Sequence, residues 1–140
     1  MKNNLHTSIH DNLWITRKFI DGHLNTPITI EGLSRQAALS PYHFIRAFCT
    51  VFKQTPHQYL MQRRIEKAKE LLRSTDLSIT EICSLVGFES LGSFSTLFRK
   101  LVGLSPRSYR KSFSRSAGSK THHAYIPLCC CILHGINDTN

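Results

Sequence analysis

Within SPYHFIRAF, residues 40–48, Tyr42, His43, Ile45 and Arg46 fall on the side of a helix opposite Phe44, Ala47 and Phe48. A merely solvated face does not usually combine an aromatic ring, a β-branched apolar residue and one Arg. A guanidinium is a planar fork of donors that matches two adjacent acceptors, such as guanine O6 and N7. Ile or Tyr beside it can pack on a thymine methyl. The chemistry offered is recognition of a planar polar edge.

A second set of able residues lies near the C-terminus: His122, His123, Cys129, Cys130, Cys131 and His134. These invite zinc or copper. Three adjacent cysteines nevertheless match known ligand spacing poorly, because paired ligands are usually separated by two or more residues. Cys also behaves as a small buried hydrophobe, so residues 125–133 read as an apolar segment that docks on the helical domain or on a partner. A metal- or redox-responsive sensor that uses this tail is the alternative. Enzymatic readings find less support. Cys49 with His43 lacks an oxyanion-forming Gly-rich turn, no Walker or dinucleotide motif is present, and the acidic residues are scattered. The expectation is a protein that is not an enzyme, with no cofactor and no metal.

The chain has 140 residues, with 18 Lys+Arg against 9 Asp+Glu, a formal net charge of +9. Such a balance favours anionic partners, nucleic acid before acidic membrane. The start MKNNLHTSIHDN lacks the apolar core of a signal peptide, and no run approaches membrane-spanning length. Five cysteines, two of them inside helical patterns, argue against a secreted disulfide framework. The chain reads as cytoplasmic.

The elements that must position these groups are helical throughout. Helical periodicity punctuated by Ser/Thr-Pro and Gly predicts about seven helices, near 9–24, 30–38, 41–53, 56–74, 79–86, 91–102 and 106–111. The fold class is all-α. An internal repeat organises it. Phe44, Phe48, Pro56 and Tyr59 recur fifty residues later as Phe94, Phe98, Pro106 and Tyr109, while Ile30, Leu33 and Ala37 recur at forty-nine as Ile79, Ile82 and Val86. The one-residue offset falls in the turn between the two short helices of each unit. Ser78 and Glu81 have capping-box spacing, and Ser40-Pro41, Thr55-Pro56 and Ser105-Pro106 each give a capping hydroxyl before Pro.

Each unit is a helix-turn-helix, an arrangement whose second helix can enter a DNA major groove. Such pairs also pack inside many all-helical proteins, and the outward faces decide between the two. In the first unit Tyr42 and His43 occupy the first turn, with Ile45 and Arg46 beside them and Lys53 at the end. In the second, Gly92, Ser93 and Thr96 stand outside, with Arg99 and Lys100 suited to phosphate. The second unit is therefore the weaker reader. In the joining helix Met61, Ile65, Ala68 and Leu72 form an apolar stripe, and Arg63 and Arg64, off it, join Lys53, Arg99 and Lys100 as expected phosphate contacts. A helix of that length spans ~27 Å, near the ~34 Å between successive major grooves on one side of DNA.

Gly87-Phe88, Phe94, Phe98-Arg99-Lys100, Gly103, Ser105-Pro106 and Tyr109-Arg110, with the spacing of the two units, resemble the signature of the AraC/XylS family of bacterial transcription regulators. The resemblance covers residues 8–111 and, in length, is closest to the stand-alone, MarA/SoxS/Rob-like members. It implies a domain at 1–111, made of homeodomain-like units at 8–54 and 75–111 and a linker helix at 55–74, followed by the tail at 112–140. It implies a sequence-specific DNA-binding regulator, chiefly an activator that contacts RNA polymerase, bound to double-stranded DNA; the span of the joining helix adds the expectation that one chain reads two adjacent grooves as a monomer. The main base contacts map to Tyr42, Ile45 and Arg46, and the secondary ones to Gly92, Ser93 and Thr96. His43, in the same first turn as Tyr42, joins the set.

Overall fold

A serine or threonine hydroxyl opens each helix in the computed structural model, which describes residues 8–115. The helices are α1 (Ile9–Gly22), α2 (Ile30–Gln36), α3 (Pro41–Phe52), α4 (Pro56–Ser74), α5 (Ile79–Leu85), α6 (Leu91–Val102) and α7 (Pro106–Arg115). Ser8, Thr29, Ser40, Thr55, Ser78 and Ser90 each accept a first-turn backbone N–H. The Ser105 hydroxyl accepts from Ser108 N at 3.1 Å. Each such cap satisfies a donor that the helix itself leaves open, a contribution of ~1 kcal/mol. The Ser78–Glu81 box forms as its spacing predicts. Two further boxes, Ser8–Asp11 and Thr55–Gln58, form where the sequence analysis expected none.

Helix ends follow local chemistry. α1 stops at Gly22, short of 24, because His23 N–H turns back to the Ile20 carbonyl and the Thr26 hydroxyl donates to the His23 carbonyl. α7 continues past 111 to Arg115. Its extra turn has a reason: the Phe113 ring lies 4.9 Å from that of Tyr109, and the Arg73 guanidinium sits over its face.

The fold holds two cores along one helix. Leu13, Ile20, Leu33, Ala37, Phe44, Phe48, Tyr59 and Leu60 form the first. Ile65, Ala68, Leu72, Ile82, Val86, Phe94, Phe98 and Tyr109 are in the second. Thus the opening turns of α4 close the unit of α1–α3, and its later turns serve α5–α7 as a first helix. Helix 56–74 is more than the linker the sequence suggested. It belongs to both units, and Met61 packs on the first core while Ile65, Ala68 and Leu72 build the second.

The repeat reaches the level of ring geometry. Phe44 and Phe48 stand 5.7 Å apart at 58°, and Phe94 and Phe98 stand 5.7 Å apart at 58°. The offset lies where expected, since residues 37–40 join α2 to α3 and residues 86–90 join α5 to α6. Both turns reverse through a six-to-one bond of the Schellman kind, Leu39 N–H to Ser34 O and Phe88 N–H to Cys83 O. The left-handed residue in the second is Gly87, φ 90°; in the first it is Ala38, φ 56°. After α3 and α6 the same asymmetry returns, with Gly103 at φ 84° and Lys53 at φ 59°.

Candidate nucleic-acid interface

α3 rests on the first core through Phe44 and Phe48, which are fully buried. That seating turns Tyr42, His43, Arg46, Thr50 and Lys53 out to solvent, with Tyr42 64% exposed. Helical spacing then pairs two of them. Arg46 Nη1 donates to Tyr42 Oη at 3.0 Å, and the guanidinium carbon lies 5.5 Å from the centre of the Tyr42 ring. Held by one bond and one ring face, the fork keeps its remaining donors turned to solvent. His43 Nδ1 meets Ser40 Oγ at 2.9 Å, and that oxygen also accepts His43 N–H. This contact occupies Nδ1 and leaves Nε2 as the ring nitrogen available to a partner.

Ile45 departs from expectation. It is half-buried and packs on the first core, so it offers an edge beside Arg46 where the sequence suggested a full outward face.

On α6, Gly92, Ser93, Thr96, Arg99 and Lys100 are exposed, as their spacing from Phe94 and Phe98 requires. A Cβ added at Gly92 would meet nothing within 4 Å, so internal packing does not call for glycine there. Ser93 is partly occupied: the Ser90 hydroxyl donates to its oxygen at 2.8 Å. This face is flatter and chemically thinner than that of α3.

Two assignments to phosphate do not survive the geometry. Arg64 is 8% exposed, and it donates from Nε to the Leu24 carbonyl at 2.8 Å and from Nη2 to the Thr26 carbonyl at 3.2 Å. Burial pulls its pKa down, against a smaller upward push from the Glu89 carboxylate. Arg63 is half-buried, bonded through Nε to Asp21 at 2.8 Å and through Nη1 to the Glu66 carboxylate. Its charge is already matched. The reason both were misplaced is the dual role of α4, which buries two sides of the helix where a simple amphipathic stripe buries one. Lys53, Arg99 and Lys100 are exposed as expected. Arg107 in the first turn of α7 is an exposed cation that the sequence analysis passed over; its place just after a Ser-Pro cap was the available signal.

Asp21 also accepts from the Tyr59 hydroxyl at 2.8 Å, and Tyr59 Oη accepts from Arg17 Nε at 3.0 Å. The Arg17 guanidinium lies 5.0 Å from the centres of the Trp14, Phe52 and Tyr59 rings. This network ties α1 to α4. Burial, the largest influence on Tyr59, raises its pKa. Burial likewise raises the pKa of the Cys83 thiol, which disfavours the thiolate.

Among the described residues no group of His, Cys, Asp and Glu is placed to hold a metal ion, and no helix is long and apolar enough to cross a membrane. His122, His123, Cys129, Cys130, Cys131 and His134, the basis of the sensor alternative, lie outside the described residues.

A helix-turn-helix domain model matches residues 33–112. The regulatory protein SoxS of Escherichia coli is 34% identical over 92 residues, a match that covers 66% of this chain and 86% of SoxS. The probable transcriptional regulator LumQ of Photobacterium leiognathi is 34% identical over 99 residues, 71% of this chain and 40% of LumQ. The chain thus spans well under half of LumQ and most of SoxS. Among solved structures, the DNA-binding domain of the global transcriptional factor AdpA, in complex with a target DNA, has a TM-score of 0.73. It is 28% identical and is matched over 77% of this chain and 98% of that one. With its duplicated helix-turn-helix, its outward α3 and α6 faces and these likenesses, the chain belongs to the AraC/XylS family of transcription regulators and carries that family's DNA-binding domain.

Proposed function

We propose that the protein regulates transcription by binding duplex DNA at a specific sequence, with α3 as the principal reader and α6 as the secondary one. The observation that carries this reading is the exposed Tyr42–Arg46 pair on a helix whose opposite face is anchored by Phe44 and Phe48. The fork is oriented before any partner arrives, which reduces the ordering cost of a bidentate contact to guanine. His43 and the edge of Ile45 complete the α3 surface, while Gly92, Ser93 and Thr96 let α6 approach the second groove closely. Lys53, Arg99 and Lys100 neutralise phosphates on either side.

α4, 19 residues long, spans about 28 Å, so one chain engages two grooves and binds as a monomer. Activation through contact with RNA polymerase in the cytoplasm completes the reading, supported by the family resemblance.

Selection of bound duplexes from a random pool, followed by titration of the Arg46→Ala protein, tests it. The substitution should cost about 1–3 kcal/mol on the selected site and relax preference at one base pair. An equal loss on selected and random DNA would assign Arg46 to phosphate and remove α3 as the reader.

A further inference from the structure

Two helix-turn-helix units that share one helix have a single covalent rod between them. The principal helix packing lies within α1–α4 or within α4–α7, so little else joins the α1–α3 side to the α5–α7 side. A rod held at its two ends by separate cores can still twist or bend at its middle. The changeover along α4 falls between Leu60, the last buried residue of the first core, and Ile65, the first buried residue of the second, just before the middle of the helix. Arg64 stands there.

Its side chain bridges the two units. The Nε and Nη2 donors take the carbonyls of Leu24 and Thr26, in the loop between α1 and α2 of the first unit. Its guanidinium carbon lies 5.9 Å from the centre of the Phe88 ring, in the turn between α5 and α6 of the second. The two units touch at the same point. A Cβ added at Gly87 would lie 2.4 Å from the Leu24 carbonyl oxygen and 3.0 Å from the Arg64 guanidinium carbon. Gly87 therefore does two things: it supplies the left-handed turn at φ 90°, and it admits the carbonyl that Arg64 holds. A buried guanidinium bonded to two carbonyls has directional bonds that a rotation of one unit against the other would break. An unpaired buried charge would remain, which makes the alternative orientations costly.

We propose that Arg64 is a positioning residue that locks α3 and α6 in one relative orientation and thereby sets the spacing between half-elements that the protein accepts in DNA. The inference rests on the two-groove reading for its consequence on DNA, and on geometry alone for the lock. One extra base pair between two half-elements moves the second by ~3.4 Å and turns it by about a tenth of a helical turn. A locked pair of readers rejects that change, and an unlocked pair follows it.

Two measurements on the full chain separate the parts. Residual dipolar couplings of the free protein should fit one alignment tensor for both units in the wild type. In Arg64→Met, and more mildly in Arg64→Lys, the two units should need different tensors while each keeps its own helices. Binding to the selected duplex and to the same duplex lengthened by one base pair is the second. The wild type should lose affinity about tenfold or more on lengthening, the scale of one well-placed base contact. The Arg64 variants should lose most of that discrimination, with weaker binding to the original site. A single shared tensor in both folded variants, or a uniform loss of affinity on both duplexes, overturns the lock. If Arg64→Met fails to fold, the Lys variant, which keeps the charge and loses the fork, decides the same question. Separate tensors in the variants with no spacing preference in the wild type would leave the lock standing and refute the two-groove reading.

Discussion

Arg63, Arg64 and Lys100 look alike in the sequence and differ completely in circumstance. Lys100 is exposed in the last turn of α6, Arg63 is matched by Asp21 and Glu66, and Arg64 is buried against two carbonyls. Counterion release makes the difference measurable, because each phosphate neutralised adds roughly 0.9 to the slope of log affinity against log salt. Lys100→Ala should lower that slope by about one unit on any duplex. Arg63→Gln should leave the slope unchanged and destabilise the fold instead, as followed by thermal unfolding. A lower salt slope for Arg63→Gln would return that residue to the DNA contacts. Periodicity identified which residues face away from Phe44 and Phe94, so the exposed faces of α3 and α6 were legible, apart from the half-buried Ile45. It had no means of telling a solvated Arg from one held by partners 38 to 42 residues away in the chain, as Asp21 holds Arg63 and the Leu24 and Thr26 carbonyls hold Arg64.

Elements carry their own strain and their own pH dependence. The two helix-turn-helix turns are built on one plan, but the first places Ala38 at φ 56° where the second has Gly87 at φ 90°. An L-residue held there costs roughly 1–2 kcal/mol, partly offset by the entropy glycine would lose. Ala38→Gly should therefore stabilise the protein by about 0.5 kcal/mol, seen as a rise in denaturation midpoint. Gly87→Ala should destabilise it by roughly 3 kcal/mol, since the same strain is joined by the approach to the Leu24 carbonyl. Similar losses at the two positions would deny that the turns differ in this way. At the start of α5, the Glu81 carboxylate accepts the Ser78 N–H, and that bond holds its pKa below the ordinary glutamate value. A depressed carboxyl contributes stability that is full above its unfolded pKa and is lost as pH falls through the folded one. Glu81→Gln keeps an acceptor for the box and removes the titration. Its unfolding midpoint should fall less steeply than the wild type's as pH drops from 5 toward 3, on the order of the glutamate range. Capping boxes of this kind were legible at Ser78 because Glu stands three residues on. At Thr55 the same role is taken by Gln58, and Pro at 56 drew attention first.

At the scale of the whole molecule, charge, helical class and duplication were readable from composition and spacing. The shared helix was not. Met61, Ile65, Ala68 and Leu72 look like one stripe in the sequence, and only the folded chain divides them between two cores. That division makes the duplicated molecule unequal. The first unit has its own opening helix, whereas the second borrows one. Residues 1–74 expressed alone should fold, and should self-associate through the bared Ile65, Ala68 and Leu72. Residues 75–140 alone should show little cooperative unfolding. Circular dichroism and analytical ultracentrifugation of the two pieces check this, and a stably folded 75–140 would show that α4 is dispensable to the second core.

Synthesis runs from the N-terminus, and the residues that close the first core end at Leu60 and Met61. α3 therefore has a complete seat before α5 leaves the ribosome, while α6 waits for Tyr109. Between those moments α4 is half covered, and the newborn chain presents one apolar strip until its own remaining residues arrive to hide it.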